Sequence, residues 1–141
     1  MRRSSMYALL VVSVVSACTS AGSRATVPGQ VTMKLQCLAD GGFEFSLSSW
    51  SVTLPAPDSA FTWVNDPASN VEAEITAQNP KFPFNGQSHH AAHGGKARGK
   101  PVPHTPKGTY KYTVTAICSL GGAKPDTIRI DPDMIIPWSI Q

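Results

Sequence analysis

The sequence predicts an all-β domain that folds as a small antiparallel β-sandwich. Short windows in which apolar and polar residues alternate recur along the chain, which is the period of half-buried strands. The 141 residues include 12 prolines and 11 glycines, which supply turns between such strands. Few windows show helical periodicity, and the residues after the N-terminal targeting segment suffice for one domain rather than two.

The first half of the domain contains most of the predicted strands. Alternation begins over residues 31–37 (VTMKLQC), and residues 40–42 (DGG) form a turn. It resumes over 43–54, where Pro55 ends it. Residues 61–64 and 71–75 are predicted as two further strands.

Residues 78–109 are predicted as one long loop rich in glycine, proline and histidine. Five prolines and five glycines interrupt this segment, which is much longer than a normal connection. Loops of this length are usually functional or disordered. Strand signals return over 110–118 and 128–131, and an apolar tail follows at 134–138.

The N-terminal segment resembles a bacterial lipoprotein signal. Arg2 and Arg3 precede an apolar stretch at residues 6–15, which is too short to span a bilayer. Two small residues, Ser16 and Ala17, lead directly into Cys18. In such signals, the cysteine becomes the lipidated first residue of the mature protein.

The resemblance implies that residues 1–17 are removed, that 18–29 form a flexible tether, and that 30–141 form the folded domain. The chain would then be exported and held at the membrane by its lipid anchor. Thr19 stands where an aspartate commonly causes inner-membrane retention, so a Gram-negative host implies the outer membrane, facing the periplasm. The alternative is ordinary cleavage after Ala21, which would release a soluble periplasmic protein.

Cys37 and Cys118 are predicted to form a disulfide. Each cysteine is in phase with the apolar residues of its strand, so both point to the buried face. Paired cysteines in an exported domain are normally oxidised. The bridge would close a loop of about 80 residues, which corresponds to about 4 kcal/mol of stability in the chain-entropy model.

Charge is distributed unevenly along the chain. The net charge is only +3, but no acid lies between Glu74 and Asp126, where many cations and all four histidines are found. Such a one-sided field attracts anions. The predicted anion-binding residues are Lys96, Arg98, Lys100, Lys107 and Lys111. Their predicted partners are anionic envelope polymers or lipids, and nucleic acid is not expected at this location.

The four histidines of the same segment suggest an alternative, a copper or zinc site formed by His89, His90, His93 and His104. Neutral imidazole is a good ligand for both metals. The i, i+4 spacing of His89 and His93 would place both on one side of a single helical turn. The segment contains no acid to orient the rings, and its cations would repel a metal ion. No resident cofactor is therefore predicted, with copper or zinc as the alternative.

Two segments near the C-terminus resemble the closing strands of small exported cupredoxin-like domains. They are residues 108–114 (GTYKYTV) and residues 131–136 (DPDMII). A type 1 copper site needs a thiolate and two histidines, but no histidine follows Cys118. The resemblance therefore implies a cupredoxin-like sandwich without type 1 copper.

The sequence contains no recognisable catalytic constellation. Glu72 and Glu74 share one strand face and are interpreted as solvated, and no serine lies in a nucleophile-elbow motif. We therefore predict that the protein is not an enzyme. Its predicted role is binding or structural at the cell envelope, with residues 86–109 as the contact surface, and the alternative is a copper or zinc binding protein.

Overall fold

The computed structural model describes residues 27–78, 83–84, 88–119 and 126–141. The predicted signal segment and the tether up to residue 26 lie outside the described residues. The described residues form ten strands: β1 Gln30–Cys37, β2 Phe43–Leu47, β3 Ser51–Thr53, β4 Phe61–Asn65, β5 Ala73–Ala77, β6 Ser88–Ala91, β7 Lys96–Gly99, β8 Gly108–Cys118, β9 Asp126–Ile130 and β10 Asp133–Ile136.

The strands form two sheets, and the predicted all-β sandwich is confirmed. The first sheet has the order β2-β1-β4-β7, and the second has the order β3-β10-β8-β5-β6. Strand β9 pairs with the C-terminal half of β8. The sheets are mixed rather than purely antiparallel, because β1 pairs in parallel with β4, and β3 with β10. Each of these pairs is joined by a connection that passes through the other sheet, not by a hairpin.

One hydrophobic core lies between the sheets. Alternation in β1 places Val31, Met33 and Leu35 inward with at most 2% of their surface exposed. From the second sheet, β8 contributes Tyr112 and Val114, each 1% exposed. The inward residues of both sheets belong to a single core cluster, so the sequence pattern at these strands fixes which faces pack together.

The predicted disulfide between Cys37 and Cys118 is confirmed. The two residues end β1 and β8 respectively, with a Cα–Cα distance of 5.6 Å. The bridge therefore joins the two sheets at one end of the sandwich. The opposite end contains the starts of β1 and β8, and we call it the N-terminal end because the described chain begins there.

The prediction of a single long loop over 78–109 is wrong in part. Residues 88–91 form β6, which pairs with β5, and residues 96–99 form β7, which pairs with β4. The turn between them carries the chain from the second sheet to the first, and Gly94 takes a φ of 66° there. The helical turn that would place His89 and His93 on one side does not form, because residues 88–91 are an extended strand paired with β5.

Candidate anion-binding surface

Strand β7 presents cations along its outward face. Lys96 and Arg98 are exposed, whereas Ala97 and Gly99, which alternate with them along the strand, are buried. Lys100 follows the strand directly and is also exposed. Because a strand rises about 3.3 Å per residue, the three alternate positions span about 13 Å. We call Lys96, Arg98 and Lys100 the cation row.

The core fixes the position of the cation row. The inward side of β7 lies on the indole of Trp63, and a Cβ at Gly99 would be 3.0 Å from both Trp63 Cη2 and Phe84 Cγ. Only small residues fit beneath the strand, which explains Ala97 and Gly99. Strand β7 is the edge of its sheet among the described strands, and its outward side chains face solvent.

The cations of the row have no carboxylate partner within 4 Å among the described residues. Directly across from Arg98 lies Thr62, and directly across from Lys96 lies Val64. Two residues beyond Val64, the Asp66 carboxylate accepts the backbone N–H of Ala68 at 2.8 Å. The row is therefore bounded by an acid at the disulfide end, while Lys100 lies towards the N-terminal end.

The structure divides the predicted anion-binding set. Lys111 lies on β8 in the second sheet, and its Nζ is 2.9 Å from Asp133 Oδ1. This ion pair offsets its charge, so Lys111 does not extend the cation row. Lys107 is exposed in the connection that precedes β8. Three of the five predicted residues therefore form one surface.

The four predicted histidine ligands are not brought together. Successive residues of β6 face opposite sides, so His89 stacks on Trp63 at a ring distance of 5.3 Å while His90 faces outward. Burial lowers the pKa of His89. His93 and His104 are exposed in separate turns. Within the described ranges, no group of three or more His, Cys, Asp or Glu side chains could hold a metal ion.

The outer face of the second sheet has a different character. His90 Nε2 lies 3.1 Å from Glu72 Oε2, and Ser88 Oγ donates to Glu74 Oε1 at 2.8 Å. Glu72, Glu74 and His90 border a cavity of about 390 Å³ that Thr115 also lines. The segment around His90 contains no acid in sequence, but strand pairing brings two acids beside it.

A larger cleft lies at the N-terminal end and was not predicted. Its volume is about 700 Å³, and its lining residues are Pro57, Asp58, Lys100, Pro101, Pro103, Trp138, Ser139, Ile140 and Gln141. They come from two connections and from the segment that follows β10, so no local motif predicts the cleft. Two backbone hydrogen bonds hold these segments, Ile140 N–H to Thr105 O at 2.9 Å and Val102 N–H to Pro83 O at 2.6 Å.

The fold and surface define a disulfide-linked β-sandwich with a cationic sheet edge. Comparison with protein-family models, with characterised proteins and with solved structures found no match. The cupredoxin-like resemblance therefore stays a prediction, and function is argued from the residues themselves. In the part of the chain that the structure describes, no helix is long and apolar enough to cross a membrane.

Proposed function

We propose that this protein is a cell-envelope lipoprotein that binds anionic envelope polymers or lipids through the cation row, without catalysing a reaction. One observation carries the proposal: Lys96, Arg98 and Lys100 share one exposed strand face, and none has a carboxylate partner in the described structure. The lipoprotein-like N-terminal segment and the disulfide both support an exported location.

The spacing of the row favours a ligand with several negative charges. Adjacent cations are about 6.7 Å apart along the strand, which is less than the Debye length of about 8 Å at physiological salt. Their fields therefore overlap at the surface, and a polyanion would interact with all three. Binding of this kind weakens as salt increases.

The point at which the described chain begins supports contact near a membrane. The described chain begins at Val27, at the same end of the sandwich as Lys100. If Cys18 is lipidated, the intervening residues span at most roughly 30 Å when fully extended. The N-terminal end of the domain would then remain close to the lipid surface and to polymers attached there.

Cations on an edge strand also have a structural role. Lys and Arg side chains discourage an exposed sheet edge from pairing with another chain. The two roles predict different results. Neutralising the row would promote self-association if it only protects the edge, whereas it would weaken polyanion binding if it forms a binding surface.

The experiment is charge reversal of the row, Lys96→Glu, Arg98→Glu and Lys100→Glu together. We expect the variant to elute from a heparin column, and to dissociate from vesicles of anionic lipid, at a much lower salt concentration than the wild type. Unchanged salt dependence with both ligands would refute the proposal. Light scattering of the same samples reports any self-association.

Single substitutions provide the matched control. Arg98→Glu and Lys34→Glu change the net charge equally, and both residues are exposed on the outer face of the first sheet. Lys34 lies on β1, outside the row. We expect the larger loss for Arg98→Glu, and equal losses would mean that only net charge matters.

A further inference from the structure

The cleft at the N-terminal end has the walls of a small-molecule site. Pro57, Pro101 and Pro103 contribute rigid apolar rings, and Trp138 and Ile140 add two larger apolar groups. Its volume of about 700 Å³ falls within the range usual for ligand pockets. Because proline side chains lose almost no freedom on binding, such walls are already organised for a ligand.

A few polar groups accompany these apolar walls. Asp58 can accept hydrogen bonds, and Lys100 can pair with an anion. Ser139 and Gln141 can each donate and accept hydrogen bonds. Asp58 and Lys100 are not joined by an ion pair within the described residues. The combination suits a ring with an apolar face and several hydroxyls: a fatty chain would leave Asp58 unused, and inorganic phosphate would leave the apolar walls unused.

The cleft is continuous with the cation row. Lys100 belongs to both, so a chain with one unit in the cleft could run along β7 past Arg98 and Lys96. Negative groups on the following units would then meet the cations of the row. This charge complementarity selects a polymer that is both sugar-based and anionic.

Trp138 supplies a second observation beside the cleft. Its indole Nε1 is buried and has no hydrogen-bond acceptor among the described residues. Buried donors are normally satisfied by protein, ordered water or ligand. Because this atom has almost no exposed surface, a ligand oxygen would reach it only if the indole turned towards the cleft.

We propose that the cleft binds one sugar ring of an anionic polysaccharide whose charged groups extend along the cation row. This inference rests on the proposed function and names the class of ligand for it. Asp58 accepts sugar hydroxyls, Lys100 pairs with the first anionic group, and the apolar face of the ring lies against Trp138 and the prolines.

The test measures binding of three probes to the full chain, kept in solution with a non-ionic detergent. The probes are a sulfated heparin octasaccharide, a polyphosphate of similar charge, and an uncharged dextran oligosaccharide. Asp58→Asn keeps the shape of the side chain and removes its charge. We expect it to weaken octasaccharide binding about tenfold, as for loss of a hydrogen bond to a charged group, and not to weaken polyphosphate binding.

A second variant fills the cleft. Ser139 is exposed at its wall, so Ser139→Leu is compatible with the fold and should obstruct a sugar ring while sparing polyphosphate. The matched control is Lys96→Gln with Arg98→Gln, which should weaken both anionic probes. Dextran is expected to bind far more weakly than the octasaccharide.

The outcomes separate the two proposals. If the control pair weakens both anionic probes while Asp58→Asn and Ser139→Leu change neither, the cleft inference is overturned and the proposed function stands. If the control pair changes neither, the proposed function fails as well. Tighter binding to anionic vesicles than to the octasaccharide, blocked by Ser139→Leu, would overturn the sugar assignment in favour of a lipid headgroup.

Discussion

Removal of the disulfide should cost a large part of the stability of this domain. Cys37 and Cys118 are separated by 81 positions. The chain-entropy relation gives about 4.5 kcal/mol for a closed loop of this size at 25 °C. A typical domain has a total free energy of unfolding of about 5–15 kcal/mol, so the loss would be about one third to nine tenths of the stability of a typical domain.

The assay is equilibrium unfolding in urea, followed by tryptophan fluorescence, since Trp63 is buried in the core. The oxidised protein is compared with the same protein after reduction, which changes no other atoms. With an m value of about 2 kcal/mol/M, we expect the midpoint to fall by about 2 M. The m value should also rise, because the reduced denatured chain is more expanded.

Cys18 needs a control, since in protein that has not been lipidated its thiol could exchange with the bridge. Both forms should therefore carry Cys18→Ser. The double variant Cys37→Ala with Cys118→Ala should behave like the reduced protein, with a small additional loss because both sulfur atoms are buried. A midpoint that moves by less than about 0.5 M at constant m would refute the entropic reasoning.

Three further predictions concern single residues. Gly99→Ala places a Cβ 3.0 Å from Trp63, and we expect a loss of about 1–3 kcal/mol in thermal unfolding; an unchanged melting temperature would contradict the close packing beneath β7. Gly29→Ala combines a φ of +69° with a Cβ 2.7 Å from Pro55 Cδ, and a loss of about 1–3 kcal/mol is expected in urea unfolding, whereas a neutral result would contradict that backbone geometry. Burial lowers the pKa of His89 below its ordinary 6.5. As the pH falls, the imidazole therefore becomes protonated in the unfolded chain before it does so in the folded protein. The contribution of His89 to stability is fully present above pH 6.5 and is lost as the pH falls towards the lowered pKa. His89→Phe should flatten the dependence of the urea midpoint on pH in that range, and an identical pH profile would show that His89 is not its source.

Much of the sandwich could be predicted because its long strands alternate clearly. In β1 and β8, large apolar residues occupy every second position, and the structure buries them. The same alternation placed Cys37 and Cys118 on inward faces. Trp50 shows the limit of the pattern: it is in phase with Val52, but it is 54% exposed because the chain passes from one sheet to the other just before β3.

Strands β6 and β7 could not be predicted for a physical reason. Their inward positions include Ala91, Ala97 and Gly99, which are small because large side chains such as Trp63 fill the space beneath them. Small residues give no periodic hydrophobic signal. The strands exist because β5 and β4 pair with them, and such pairing depends on residues distant in sequence.

Part of the candidate site could also be predicted from the sequence. The alternation of Lys96, Arg98 and Lys100 is visible in the sequence, although the pattern of prolines and glycines around it predicts a loop. The acidic partners of the other candidate residues are not visible in the sequence. Asp133 meets Lys111, and Glu72 meets His90, only through strand register. The cleft depends on two connections and the segment after β10, which converge in space.

The position of β10 has a consequence for how the chain is made. This strand, Asp133–Ile136, lies between β3 and β8 and pairs with both, and Met134 within it is completely buried. The second sheet therefore cannot be completed until the chain is available as far as residue 136. A chain interrupted before residue 133 would leave the edges of β3 and β8 that face β10 unpaired, which is a hazard for aggregation. In a chain that crosses a membrane before folding, the second sheet would be completed only after β10 had followed the nine earlier described strands.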